Sequence, residues 1–122
     1  MRLHQYVASA KARPFRWGRH DCVTFAGGWI AHRTGSVIVP RYDSLRAARA
    51  LLEERCPVAE LSDRFECVGP LMAAMGDVCE VPAEHEMPAF GIVTGGGYVA
   101  CFVGRSIGFV AQSGTLRAWR IG

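Results

Sequence analysis

A cysteine at the start of a predicted helix is the residue of this sequence best suited to do chemistry. Cys22 follows Asp21, a residue type that often caps helices, and the helix is expected to run to Thr34, before Gly35. Free N–H groups and the helix dipole at this position favour an anion, which lowers the pKa of a thiol and makes it more nucleophilic. Cys22 also lies on the apolar stripe of the helix, so a buried structural role is the alternative.

Thiol catalysis requires a second group that titrates close to neutral pH, so the histidines near the cysteine are the candidate bases. His20 precedes Cys22 by two residues, but a loop residue there has no defined orienting partner. His85 lies in a predicted hairpin over residues 83–88, and it could reach the thiol only if that loop folded over the helix N-terminus. For both histidines, an exposed loop position without a catalytic role is the other interpretation.

The other polar and sulfur-containing candidates have structural interpretations. Asp21 is first a helix cap, and Asp77 is first a turn or strand-edge residue. The cysteines are odd in number and contain no C-x-x-C pair, which argues against a disulfide framework and a zinc ribbon. Reduced thiols, with no cofactor and no metal, are therefore expected. Two cysteines fall in predicted strands and suit core positions, and two flank a short predicted helix: Cys79 and Cys101, then Cys56 and Cys67.

Composition indicates a single globular domain over residues 1–122, since half of the residues are hydrophobic and a fifth are charged. The net charge is +3, and the cations are thirteen arginines and one lysine. Arginine is favoured at protein interfaces, although codon bias gives the same ratio. A basic cluster spans residues 11–19, but it lacks interleaved stacking aromatics. A solvated or partner-facing loop is therefore favoured over a nucleic-acid site.

The apolar stretches are far shorter than a membrane span, and the first twelve residues are too polar for a secretory signal, so a soluble chain is expected.

Four helices are predicted before about residue 75, at 2–12, 22–34, about 44–55 and 58–65. The third helix is capped by Asp43 or Ser44 and ends at Pro57. Residues 71–75 fit either a helical turn or a loop. Small residues on the second helix predict close approach of a sheet: Thr24, Gly27, Gly28 and Ala31.

From residue 76 the pattern changes to short runs of β-branched and aromatic residues separated by glycine-containing turns. Strands are predicted at 78–81, 90–94, 98–103, 107–111 and 116–121. Helices followed by a meandering antiparallel sheet indicate an α+β domain, with the helices packed on one face of the sheet.

Four segments together resemble a known family. They stand in the order seen in NlpC-like, papain-fold proteins of tailed phages. More narrowly, the chain resembles a small family of phage and prophage tail proteins that open on a W-G-x-x-D-C helix and close on A-W-R-V/I. The segments are Phe15-Arg16-Trp17-Gly18-Arg19-His20-Asp21-Cys22, Gly76-Asp77-Val78, Phe90-Gly91-Ile92-Val93-Thr94-Gly95 and Ala118-Trp119-Arg120-Ile121.

The resemblance implies a papain-like core and a nucleophile position at Cys22. In active NlpC-like peptidases the cysteine attacks peptide bonds of peptidoglycan stems, a histidine on the second strand is the base, and a third polar residue orients that histidine. The usual motif is His-x-Gly-Ile, and reading back from Gly91 and Ile92 places Ala89 where the histidine should be. Alanine cannot carry a proton.

The resemblance therefore implies a structural or assembly protein at the tail tip of a long-tailed phage or prophage. Such a protein would be made in the host cytoplasm, reside in the virion and bind hub or tip subunits, with little or no peptidase activity. One alternative is an active cysteine peptidase or amidase that cleaves peptidoglycan during cell-wall penetration, using Cys22 with His85 or His20. A further alternative is a module that holds a peptide or glycan in the cleft without cutting it.

Overall fold

The computed structural model describes residues 2–17, 19–35, 44–54, 57–83 and 89–121. It confirms the α+β architecture, with four helices followed by an antiparallel sheet. The helices are α1 (Leu3–Lys11), α2 (Cys22–Thr34), α3 (Leu45–Glu54) and α4 (Pro57–Arg64). The strands are β1 (Cys67–Val68), β2 (Val78–Val81), β3 (Ala89–Gly95), β4 (Tyr98–Val103), β5 (Ser106–Ala111) and β6 (Arg117–Trp119).

The ends of helix α2 are fixed by the two residues that predicted them. The Asp21 carboxylate accepts the Thr24 N–H at 2.8 Å, and the Thr24 hydroxyl accepts the Asp21 N–H at 2.8 Å, which forms a reciprocal cap. Gly35 ends the helix at φ +76°, in the left-handed region that glycine adopts freely. The predicted bounds of this helix are confirmed, and they place Cys22 at its first position.

The sheet has the strand order β1-β6-β2-β3-β4-β5, and all neighbours are antiparallel. The meander holds from β2 to β5, whereas β6 returns to lie between β1 and β2, which the sequence did not predict. One face packs against α1 and α2, and its core includes Phe25, Trp29, Ile92 and Trp119. The opposite face carries a second buried cluster: Cys79, Val81, Val93, Val99, Cys101 and Ala118.

The close approach predicted for the small residues of α2 is made to α1, and not to the sheet, at Gly28. A Cβ added at Gly28 would lie 2.5 Å from the Tyr6 hydroxyl oxygen, so the glycine admits α1 and not the sheet. The Tyr6 hydroxyl donates to the Phe25 carbonyl at 2.6 Å, and burial raises the pKa of this phenol to about 12. The sheet packs instead on the face of α2 that carries Phe25 and Trp29.

Further differences lie at the ends of elements. Pro57 begins α4, a position for which its fixed φ is suited, whereas the sequence predicted only that it ends α3. The two-residue strand β1 was not predicted, and residues 70–72 form a 3-10 turn. Asp43, one of the two candidate caps of α3, lies outside the described residues. The other candidate, Ser44, accepts the Ala47 N–H with its hydroxyl at 3.0 Å.

Candidate functional site

Helix α2 places Cys22 in the wall of an open cleft whose lining also includes Ala89, the first residue of β3. The thiol is partly buried and lies against the Phe90 backbone. Burial, with a smaller contribution from the Asp21 carboxylate, raises the pKa of Cys22 to about 11, although backbone hydrogen bonds at Phe90 and Val23 lower it in part. The predicted lowering of the pKa by the helix N-terminus is therefore wrong, because loss of water around the thiol outweighs the helix dipole.

The cleft has a volume of about 590 Å³ and runs from Cys22 across the ends of β2 and β4 to β5. Its described walls come from the loop before α2, the end of β2, the start of β3, the β4–β5 hairpin and the turn after β5. They are mostly apolar. The lining residues are Phe15, Trp17, Asp21, Cys22, Val81, Pro82, Ala83, Ala89, Cys101, Phe102, Val103, Gly104, Arg105, Val110, Ala111 and Gly114.

Ala89 lies in this cleft together with Cys22. It is the first residue of β3 and pairs with Val81 of β2, so its position is fixed by the sheet register. This is the position at which the family resemblance implied a base, and a methyl group stands there. None of the described residues that line the cleft is a histidine.

His20 has a structural role in the described fold. It is 3% exposed, so the prediction of an exposed loop histidine is wrong. Its Nε2 lies 2.7 Å from the Ala10 carbonyl oxygen at the end of α1, and this nitrogen carries the proton because a carbonyl can only accept. The ring packs edge-on against Phe102 at 5.0 Å, and burial lowers its pKa. His20 thus fastens the loop before α2 to α1 and β4.

His4 and His32 do not line the described cleft either. His85, the other candidate base, lies outside the described residues. His4 is exposed on α1, and His32 lies in the last turn of α2, 5.9 Å from the Trp29 ring. The predicted role of Asp21 as the cap of α2 is confirmed. The Asp77 carboxylate accepts the Ala74 N–H in its own turn and the Ile121 N–H in the C-terminal segment.

One end of the cleft is an aromatic wall that carries a cation. Phe15 packs edge-on against Trp17 at 4.9 Å and against Phe102 at 5.5 Å. The Arg105 guanidinium lies 5.4 Å from the Phe15 ring. The contribution of Phe102 and Arg105 to this wall depends on the tertiary position of the β4–β5 hairpin, which local sequence does not specify.

The buried thiols of the far sheet face are core residues, as predicted. Cys79 and Cys101 lie opposite each other across Gly91, and they are 0% and 2% exposed. Burial raises the pKa of both, that of Cys79 to about 12. The four described cysteines are free thiols, and no three metal-binding side chains of the described ranges are grouped to hold an ion.

The fold defines the chain as an NlpC/p60-like, papain-type α+β domain. It is similar to the crystal structure of the NlpC/p60 domain of peptidoglycan hydrolase SagA, with a TM-score of 0.67 and 14% identity over 96% of this chain and 94% of that chain. The chain belongs to the family described as "Domain of unknown function (DUF6950)", which matches residues 1–121. Comparison with curated proteins finds no match. No described helix is long and apolar enough to cross a membrane.

Proposed function

We propose that the chain is a non-hydrolytic NlpC-like domain that acts as a structural or assembly component of a long-tailed phage or prophage tail tip. In this proposal the cleft holds an extended segment of a hub or tip subunit. The observation that carries it is that Ala89, at the position where the resemblance implies the base, lines the same cleft as Cys22. The tail assignment rests on the W-G-x-x-D-C and A-W-R-I segments.

The electrostatics of the thiol support the non-hydrolytic part of the proposal. With a pKa of about 11, only about one Cys22 side chain in ten thousand is a thiolate at pH 7. A peptidase must also protonate the leaving amine, which a methyl group cannot do. The described cleft keeps the nucleophile position of a hydrolase but provides no described imidazole beside it.

The shape and chemistry of the cleft support binding of a peptide segment. The described walls leave an open volume of about 590 Å³, and its apolar surface is bounded by Trp17, Phe15 and Phe102. Clefts of this size and character bury apolar side chains while a few polar groups fix orientation. Arg105 at the aromatic end provides a charge that could pair with a carboxylate of the partner.

Two measurements test the proposal. Mass spectrometry of purified particles, from a phage or prophage that encodes the chain, should find it in virions, and Trp17→Ala should reduce its incorporation more than the exposed control Leu71→Ala. Incubation with muropeptides should give no cleavage. Absence of the chain from both virions and tail-assembly intermediates would overturn the tail role.

An active cysteine peptidase or amidase is the second candidate function. It is favoured by the location of Cys22 at a helix N-terminus in an open cleft, the arrangement that a thiol nucleophile needs. His85 would then be the base. Cleavage of stem peptides that is lost in both Cys22→Ser and His85→Ala would establish this function and refute the first.

A further inference from the structure

Charge is distributed unevenly along this chain. All eleven acidic residues lie between residues 21 and 86. Residues 1–20 contain four arginines, one lysine and no acidic residue, and residues 89–122 contain three arginines and no acidic residue. The two acid-free segments meet at the aromatic end of the cleft, where Phe15 of the first packs against Phe102 of the second at 5.5 Å. This end of the cleft is therefore built from chain that carries only positive charge.

Five exposed cations surround this end, and we call them the basic rim: Lys11, Arg13, Arg16, Arg19 and Arg105. The ion pairs among the described residues use other cations, those of Arg64, Arg117 and Arg120. Arg13 donates instead to the neutral carbonyl of Arg19, at 3.2 Å, and the Lys11 ammonium lies 4.7 Å from the centre of the Phe109 ring. Because the described part of the chain supplies no anion to the basic rim, its charge is available to a partner.

Arg105 is the member of the basic rim that lines the cleft. It is the one cation among the described lining residues, and its guanidinium lies 5.4 Å from the Phe15 ring. The lining also includes one acidic residue, Asp21, but this residue is 1% exposed and its carboxylate accepts the Thr24 N–H in the helix cap. The accessible charge of the described cleft is therefore positive and lies at the aromatic end.

The length of the cleft fits a short extended peptide. Its lining follows β5 from Arg105, directly before the strand, to Ala111 at its end. At a rise of about 3.3 Å per residue, this distance is about 20 Å, the length of about six residues of extended chain. Away from Arg105 the lining along β4 and β5 is apolar and includes Cys101, Val110 and Ala111. A matching segment is therefore apolar along most of its length and anionic at one end.

We infer that the partner of the cleft is an acidic peptide segment, with apolar residues along β5 and Asp or Glu side chains at the aromatic end. The inference rests on the proposed function, in which the cleft holds an extended segment of another subunit. A carboxylate at this end pairs with the Arg105 guanidinium, a geometry that favours two parallel hydrogen bonds. Further acidic residues of the segment face the rest of the basic rim, and this complementarity selects the partner and speeds its association.

A single-stranded nucleic acid, the other polyanion with apolar surfaces, fits the cleft less well. Phe15 meets Trp17 at an interplanar angle of 85° and Phe102 at 88°, so these rings pack edge-on against each other. Grooves for single strands instead offer ring faces to successive bases and place cations along the whole backbone path. The described lining has one cation, at one end. These features favour a peptide.

Binding of defined peptides to the full chain tests the inference. Three fluorescein-labelled decapeptides share one apolar core of Leu, Trp and Val, end in an amide, and carry Glu, Gln or Lys beside the core. By fluorescence anisotropy, the Glu peptide should bind at least about tenfold more tightly than the Gln peptide, and the Lys peptide most weakly. Raising the salt concentration should weaken binding of the Glu peptide, because salt screens exposed charges.

Charge reversal locates the contact. Arg105→Glu should weaken binding of the Glu peptide at least about tenfold and strengthen binding of the Lys peptide. The matched control is Arg49→Glu, at an exposed position of α3 outside the described cleft lining, which should leave both constants nearly unchanged. A melting curve for each variant confirms that it folds.

Four outcomes overturn the inference: binding of no peptide, equal binding of the three peptides, equal losses in the two variants, or tighter binding of a single-stranded oligothymidylate than of the Glu peptide. A Gln peptide with a free terminal carboxylate that binds as tightly as the Glu peptide also overturns it, because the ligand is then a chain terminus. None of these results decides the tail role, which mass spectrometry of virions tests separately.

Discussion

Ala89 and Cys22 line one cleft, with the thiol at the first position of α2 and the methyl group at the first position of β3. The two backbones are positioned independently, one by the Asp21 cap and the other by pairing with Val81. Under the proposed function, Cys22 occupies the nucleophile position and Ala89 the position of the base. The chemical consequence depends on that single side chain.

Replacing Ala89 with histidine should activate the thiol. Under the proposed function an imidazole at residue 89 reaches Cys22, accepts its proton and stabilises the thiolate, so the pKa of Cys22 should fall from about 11 by at least about one unit. Iodoacetamide alkylation of Cys22 at pH 7.5, followed by peptide mass spectrometry, should become at least about tenfold faster. Hydrolysis of muropeptides is a more stringent readout, because a third group must also orient the imidazole.

The control for this variant is Ala83→His, which adds an imidazole to an exposed position of the same cleft at the end of β2. It should leave the alkylation rate of Cys22 nearly unchanged. Equal acceleration by both variants would contradict the assignment of residue 89 as the base position and would indicate a general effect of positive charge in the cleft.

In the unmodified protein, the reactivity of Cys22 should rise steeply with pH. Burial holds the thiol in its protonated form, so its alkylation rate should follow an apparent pKa near 11 and remain low at pH 7. Cys67 is exposed and should be alkylated first at neutral pH. Time-resolved mass spectrometry of each cysteine peptide distinguishes them. If Cys22 were the fastest thiol at pH 7, the peptidase would become the favoured function.

The sequence predicts local structure well and long-range contacts less well. The cap at Asp21 and the stop at Gly35 lie within a few residues of the helix they delimit, so the bounds of α2 were predictable. The burial of His20 was not, because its partners Ala10 and Phe102 come from α1 and β4, and only the tertiary fold brings them together. The raised pKa of Cys22 has the same origin, since it comes from burial of the thiol in the tertiary fold.

The contact between α1 and α2 predicts strong coupling between Gly28 and Tyr6. Gly28→Ala alone should destabilise the protein or leave it unchanged, since the helix propensity gained, about 1 kcal/mol, is offset by displacement of the hydrogen-bonded Tyr6 hydroxyl. In a Tyr6→Phe background the same change should be stabilising by about 1 kcal/mol. Urea unfolding of the four proteins should therefore give a coupling free energy of about 1–2 kcal/mol. Additive effects would show that the two helices do not meet at this point.

Asp77 should be among the most sensitive polar positions of the fold. Asp77 is only 4% exposed. Its carboxylate accepts the Ala74 N–H at 2.9 Å and the Ile121 N–H at 3.0 Å. Asp77→Ala leaves both donors without their partner, so the free energy of unfolding should fall by about 2–4 kcal/mol. The control Asp63→Ala removes an exposed carboxylate from α4 and should change the free energy of unfolding by less than about 0.5 kcal/mol.

The hydrogen bond to Ile121 holds the C-terminal segment against the turn before β2. Hydrogen exchange of the Ile121 amide should therefore accelerate in Asp77→Ala and stay unchanged in the control. Comparable losses of stability in the two variants would mean that this carboxylate does not hold the C-terminal segment.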